Sequence, residues 1–113
     1  MTIEANYRRM HAKSAARYAQ ACTMFPNGVT HDGRYVTPFP LYVDRSQGAY
    51  KWDADGNRLI DYVTGHGALL LGHAQPAVVA AVADQMARGT HYGAESELAL
   101  QWAALIRRLE YGM

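Results

Sequence analysis

The chain has 113 residues, which suits one small domain or a piece of a larger one. Half of them are apolar, which argues against a disordered chain. The 11 basic and 10 acidic residues leave a net charge of +1, so the charge balance calls for neither a nucleic acid nor an anionic membrane as partner.

Residues 3–22 carry Ile3, Tyr7, Met10, Tyr18, Ala21 and Cys22 at three- and four-residue spacing, while Arg8, Arg9, Lys13 and Arg17 fall mostly off that stripe; this predicts a first amphipathic helix that packs on something. The same cations interrupt any signal-peptide core. With no apolar run near the roughly 20 residues of a membrane span, the expectation is a cytoplasmic protein. Cys22 is the sole cysteine, so no internal disulfide forms; it reads as a small buried residue near the helix end. Phe25-Pro26-Asn27-Gly28 ends the helix, and residues 29–40, with Gly33, Pro38 and Pro40, read as an irregular extended loop.

Three short strands follow. Leu41-Tyr42-Val43 leads into a polar turn, Asp44–Gly48. Ala49–Trp52 alternates, Asp53-Ala54-Asp55-Gly56-Asn57 is a second turn, and Leu59–Val63 resumes the strand, making a small antiparallel meander. Gly65, Gly67 and Gly72 surround Ala68–Leu71 in a flexible link. Pro76 opens a second helix with Val78, Val79, Val82 and Met86 on one face and Gly89 past its end. Thr90–Gly93 is a tight loop. Residues 95–110 form a third helix with Leu98, Trp102, Leu105, Ile106 and Leu109 on one side. These two apolar faces exceed what so short a chain can cover, so self-association or partial order is expected of it alone.

Residue chemistry narrows the options. Asp53-x-Asp55-x-Asn57 matches the start of a calcium loop, but such a loop needs Gly at its sixth position and a bidentate carboxylate at its twelfth, where Arg58 and Thr64 stand; a hairpin turn is the better reading. His11, His31, His66, His73 and His91 form no close pair and Cys22 stands alone, so no metal site is expected. Gly65-His66-Gly67 and Leu71-Gly72-His73 fit neither G-x-G-x-x-G nor a P-loop; the glycines let the backbone bend or approach a ligand.

As a set, W-D-x-D-G-N-x-x-I-D-Y (Trp52–Tyr62), the Gly-rich link, L-x-L-G-H-x-x-P (Leu69–Pro76), an alanine-rich helix and G-T-x-x-G (Gly89–Gly93) resemble the N-terminal part of the class III pyridoxal-phosphate aminotransferases, especially the branch related to glutamate-1-semialdehyde aminomutase. Pro26-Asn27-Gly28-Val29 is similar to that family's P-G-G-V segment, and the resemblance covers about residues 26–110. It implies an α/β protein, α+β within this segment: the N-terminal part of a type I pyridoxal-phosphate transferase fold, with residues 1–113 giving the first part of the small domain and the start of the large one. It further implies a homodimer acting on small amino and keto compounds.

Counting from Gly28-Val29, the family's substrate-carboxylate arginine falls on Arg34; a guanidinium fork makes two parallel charge-assisted bonds to a carboxylate. The alternative for Arg34 is a solvated loop cation. Thr30-His31-Asp32-Gly33 replaces the N-S-P-V of the true semialdehyde aminomutases, and His66 stands where they place an active-site Trp; both departures point to a different substrate. His66 could stack on, hydrogen-bond to or titrate beside a ligand, or be an ordinary loop residue. By resemblance, His91 and Tyr92 approach the dimer interface and the partner's active site; ordinary loop packing is the alternative for Tyr92.

The family's S-G-T-E-A phosphate motif normally starts just after the third helix. The chain holds only Lys13 and Lys51, neither matching the lysine that carries the cofactor. The expectation is therefore a catalytically incomplete N-terminal part of an aminotransferase or aminomutase, with pyridoxal 5'-phosphate in the complete enzyme and no covalent cofactor on this chain alone. No residue is assigned as a catalytic base. The alternative is a stand-alone, non-catalytic module that folds against a partner.

Overall fold

The computed structural model describes residues 2–112. They fall into two compact units, one ending at Pro76 and one starting at Ala77.

The first unit opens with α1 (Ile3–Met10) and α2 (Ala12–Ala21). A single helix over 3–22 is thus corrected: the chain breaks at His11, whose φ of −127° and ψ of 44° are not helical. The cause lies outside the helix. Asp55 Oδ1 and Oδ2 accept the Lys13 and Ser14 amides at 2.8 and 3.2 Å, which caps α2 from another element, and Asn57 Nδ2 donates to the Met10 carbonyl at the end of α1 at 3.1 Å. The buried face also differs from the expected stripe. Ile3 is 92% exposed, and Cys22 is exposed rather than buried, whereas His11, Ser14 and Ala21 are buried. With half-buried Tyr7 and Tyr18 they form a 4-3-4-3 series running through the break.

Pro26–Gly28 and Asp32–Arg34 are short 3-10 turns in the irregular stretch. The meander is present as an antiparallel sheet in the order β1 (Val43–Gln47), β2 (Tyr50–Asp53), β3 (Arg58–Ile60). Its first strand is displaced from the expected Leu41–Val43. The polar run Asp44–Gln47 is strand, not turn, and the link is Gly48-Ala49, since Gln47 pairs with Tyr50 and Gly48 takes φ 55°. A polar edge strand facing water has no apolar alternation to betray it. On the outer face Arg45 lies 3.5 Å over the Trp52 ring and Arg58 4.7 Å over Tyr50. The core is small: Phe39, 2% exposed, packs its ring 5.0 Å from that of Tyr7, whose hydroxyl donates to the Phe39 carbonyl at 2.8 Å.

The second unit holds α3 (Pro76–Arg88), begun by the proline as expected, and α4 (Glu97–Tyr111). Gly89, at φ 109°, follows α3 in the C′ position. Val82, Met86, Trp102 and Leu105 remain about half exposed or more, in line with the expected shortage of cover. Among the described residues no helix is long and apolar enough to cross a membrane.

Candidate functional site

Arg34 ends the 3-10 turn Asp32–Arg34. The turn is fixed locally: the Arg34 amide donates to the His31 carbonyl at 2.9 Å, and His31 Nδ1 accepts the Gly33 amide at 3.0 Å. The guanidinium donates to Thr30 Oγ1 at 2.7 Å and, among the described residues, has no carboxylate within ion-pair range. It lines a groove of about 930 Å³ whose walls are mostly apolar and include Ala21, Met24, Phe25, Val36, Leu41 and Val43. Arg17, also on the groove, is committed to Asp44 at 2.6 Å. A side chain at Gly28 would crowd this wall. At φ +66°, a Cβ on it would stand 2.6 Å from the Tyr18 ring and 2.7 Å from Cys22 Sγ. Arg34 is exposed; a cation with no anion among the described residues, beside apolar walls, suits a ligand with a carboxylate and a hydrocarbon part.

His66 lies in the glycine link. Thr64, Gly65, His66 and Gly67 all have positive φ, at 45°, 61°, 58° and 85°. Together they make a left-handed turn, in which the Gly67 amide donates to the Val63 carbonyl at 3.2 Å and the Leu69 amide to that of Thr64 at 3.0 Å. For Thr64 and His66 this conformation costs about 1–2 kcal/mol each, so the surroundings must hold it. The His66 side chain is exposed. Arg34 and His66 belong to separate loops of the first unit; no hydrogen bond links them among the described residues.

His91 and Tyr92 sit in the loop after α3, beside a hollow of about 710 Å³. The His91 side chain is exposed. The Tyr92 hydroxyl donates to the Arg88 carbonyl at 3.2 Å and accepts from Gln85 Nε2 at 2.8 Å, which caps the end of α3. Tyr92 thus has a local packing role in this unit, whatever else it meets.

Two clusters went unread in the sequence. In the first, Asp53 Oδ2 meets His11 Nδ1 at 2.6 Å and Asn57 Nδ2 at 2.9 Å, and Oδ1 accepts the Asp55 and Asn57 amides at 3.1 and 2.7 Å. Burial opposes ionisation of Asp53, but the Asn57 and His11 hydrogen bonds outweigh it and hold the carboxyl below its usual range. His11, Asp53 and Asp55 bring their ligand atoms within 4.8 Å of one another. Those carboxylate oxygens are already taken by N–H donors, so the group works as a hydrogen-bonded buckle over the helix break. In the second cluster, buried Asp61 accepts from His73 Nε2 at 2.6 Å, Lys51 Nζ at 3.1 Å and the Val63 amide at 3.0 Å. The His73 and Lys51 bonds hold its carboxyl well below the usual carboxylate range. The only signal in the sequence was the pairing of Asp61 and His73 at the two ends of one glycine-rich link.

The lysines do not fit a covalent cofactor. The Lys51 ammonium is paired with Asp61, and Lys13 is exposed on α2. A lysine attacks an aldehyde in its neutral form, which desolvation in an apolar pocket or a neighbouring cation favours, whereas an ion pair or open solvent favours the charged form.

Comparison with known proteins sets these features in a family. The model of the class III aminotransferases matches residues 32–110. The chain is 48% identical over 102 residues to the glutamate-1-semialdehyde 2,1-aminomutase of Chloroflexus aurantiacus, an alignment covering 88% of the chain and 23% of that protein. It is 42% identical over 96 residues to the Archaeoglobus fulgidus enzyme of the same name. Among solved structures, a β-phenylalanine aminotransferase from Variovorax paradoxus superposes with a TM-score of 0.86 at 27% identity, covering 91% of the chain and 24% of its own. A glutamate-1-semialdehyde aminomutase from Pseudomonas aeruginosa PAO1 gives 0.82 at 29%, covering 95% and 24%. The chain spans about a quarter of the length of these relatives, and its helices and three-stranded sheet are those of the N-terminal part of the pyridoxal-phosphate transferase fold. By the family match and the identity over most of its length, the chain belongs to the class III aminotransferases, in the branch that resembles the glutamate-1-semialdehyde aminomutases.

Proposed function

We propose that this chain is the N-terminal segment, small-domain start and first part of the large domain, of a cytoplasmic, homodimeric aminotransferase or aminomutase that moves an amino group between an amino acid or amine and a keto compound. Pyridoxal 5'-phosphate would supply the electron sink for that chemistry. Neither lysine of this chain fits the role of carrying it: Lys51 is paired with Asp61 and Lys13 is exposed on α2. Arg34 binds the substrate carboxylate, His66 faces the substrate, and His91 and Tyr92 lie toward the second subunit's site.

The observation that carries the reading is Arg34: an exposed guanidinium with no acidic partner among the described residues, lining a mostly apolar groove, in a chain of this family. Arg34→Lys keeps the charge and loses the planar fork. Loss of a charged hydrogen-bonded contact amounts to about 1.5–3 kcal/mol, so kcat/KM for carboxylate-bearing substrates should fall roughly ten- to hundredfold. Amines lacking the carboxylate should change much less. An equal loss for both members of such a pair would assign Arg34 to the fold and end this reading. A second reading, a non-catalytic module that folds against a partner, draws on the exposed faces of α3 and α4; an enzyme with measurable transamination would dismiss it.

A further inference from the structure

The link between β3 and α3 leaves the sheet at Asp61 and returns at His73, and both ends are tied to the first hairpin. The Asp61 amide donates to the Ala49 carbonyl at 2.9 Å, and Gly48 and His73 exchange two backbone bonds of 2.8 and 2.9 Å. The Asp61 carboxylate then closes the mouth of the loop, taking His73 from one end, Lys51 from β2 and the Val63 amide from the start of the left-handed turn. Leu70 is 92% and Leu71 70% exposed, so half-buried Leu69 is the one leucine of the loop that packs, against Gly65. A turn with two non-glycine residues at positive φ relaxes unless something fixes it. In this loop the fixed points are its two ends.

We propose that Lys51, Asp61 and His73 form a clasp whose role is to present His66 to the substrate, with Asp61 as the positioning residue. The proposal rests on the reading of His66 as a substrate-side residue. It separates two duties: His66 touches the ligand, and Asp61, by gripping both ends of the loop, sets where His66 stands.

The test has two arms. In the first, amide hydrogen exchange is followed in the complete enzyme. Asp61→Asn and His73→Asn should speed exchange at Gly67 and Leu69, the turn's own donors, by about tenfold or more, and leave the α2 amide of Ser14 unchanged. The second arm is a double-mutant cycle in the enzyme. Asp61→Asn and His66→Ala should each raise substrate KM by a similar factor, roughly tenfold, and together no more than either alone. Lys51→Met, which removes one of the clasp's partners, is the second variant should Asp61→Asn not fold. Additive losses would mean that Asp61 acts on the fold at large and would overturn the proposal. Normal KM and exchange in Asp61→Asn, with His66→Ala impaired, would overturn the clasp while leaving the reading of His66 standing. A silent His66→Ala would overturn both.

Discussion

Replacing Gly72 by Ala puts the loop's closure to a quantitative test, because Gly67 supplies a matched control. Both glycines have positive φ, 78° and 85°, so alanine at either pays the left-handed penalty of about 1–2 kcal/mol. Their surroundings differ. A Cβ on Gly67 meets nothing within 4 Å, whereas one on Gly72 would stand 2.9 Å from the Gly48 carbonyl oxygen and 3.0 Å from its carbon and Cα. Those are backbone atoms, and they can retreat only by loosening the two Gly48–His73 hydrogen bonds. At about 1 kcal/mol each, these add about 2 kcal/mol. Gly72→Ala should therefore destabilise the first unit by about 3–4 kcal/mol and Gly67→Ala by about 1–2. For a unit of this size a 2 kcal/mol gap corresponds to roughly 8–16 °C in Tm. Thermal and urea unfolding followed through Trp52, on β2 of that unit, reads the difference. Equal losses for the two variants would refute the claim that the close approach at Gly72 holds the loop to the hairpin.

Two further outcomes follow from the clusters. Asp55→Ala removes the acceptor of the Lys13 and Ser14 amides and should lower stability by about 1–2 kcal/mol, with Asp55→Asn losing less; an unmoved urea midpoint would mean that water caps α2 equally well. Because the folded Asp61 carboxyl is held below its unfolded value of about 3.9, its contribution is complete only above about pH 5 and drains away as the pH falls further. Acid unfolding should accordingly be steeper in the native chain than in Asp61→Asn, and parallel acid limbs would exclude the His73 and Lys51 bonds as the cause.

The parts of the fold governed by local chemistry were readable from the residues. Pro76 and Gly89 bracket α3 because one lacks an amide that a helix start does not need and the other takes a φ that a helix end requires. The second turn of the meander, at 53–57, was readable from its residues; the first was not, because Asp44–Gln47, read as a turn, is strand whose bonds run to residues on the next strand. The break at His11 was hidden because its cause sits in the 53–57 turn, and because His11 and Ser14, polar by type, lie on the buried face. Arg34 is singled out only by what the family resemblance implies, counting from Gly28-Val29. Its groove could not be read, since the walls come from α2 and from residues 36–43, which only the folded chain brings together.

The bend between α1 and α2 has a consequence for the order of assembly. The groups that impose it, Asp55 on the Lys13 and Ser14 amides and Asp53 on His11, lie 41 or 42 positions later in the chain. During synthesis from the N-terminus, residues 3–21 are made well before the turn that bends them, and their own three- and four-residue spacing carries no signal for the break. The kink is acquired when the β2–β3 turn arrives, so the buckle is a late, long-range contact in a segment that otherwise folds locally. Mutations at Asp55 should then change the unfolding rate more than the folding rate, the signature of a contact made after the transition state.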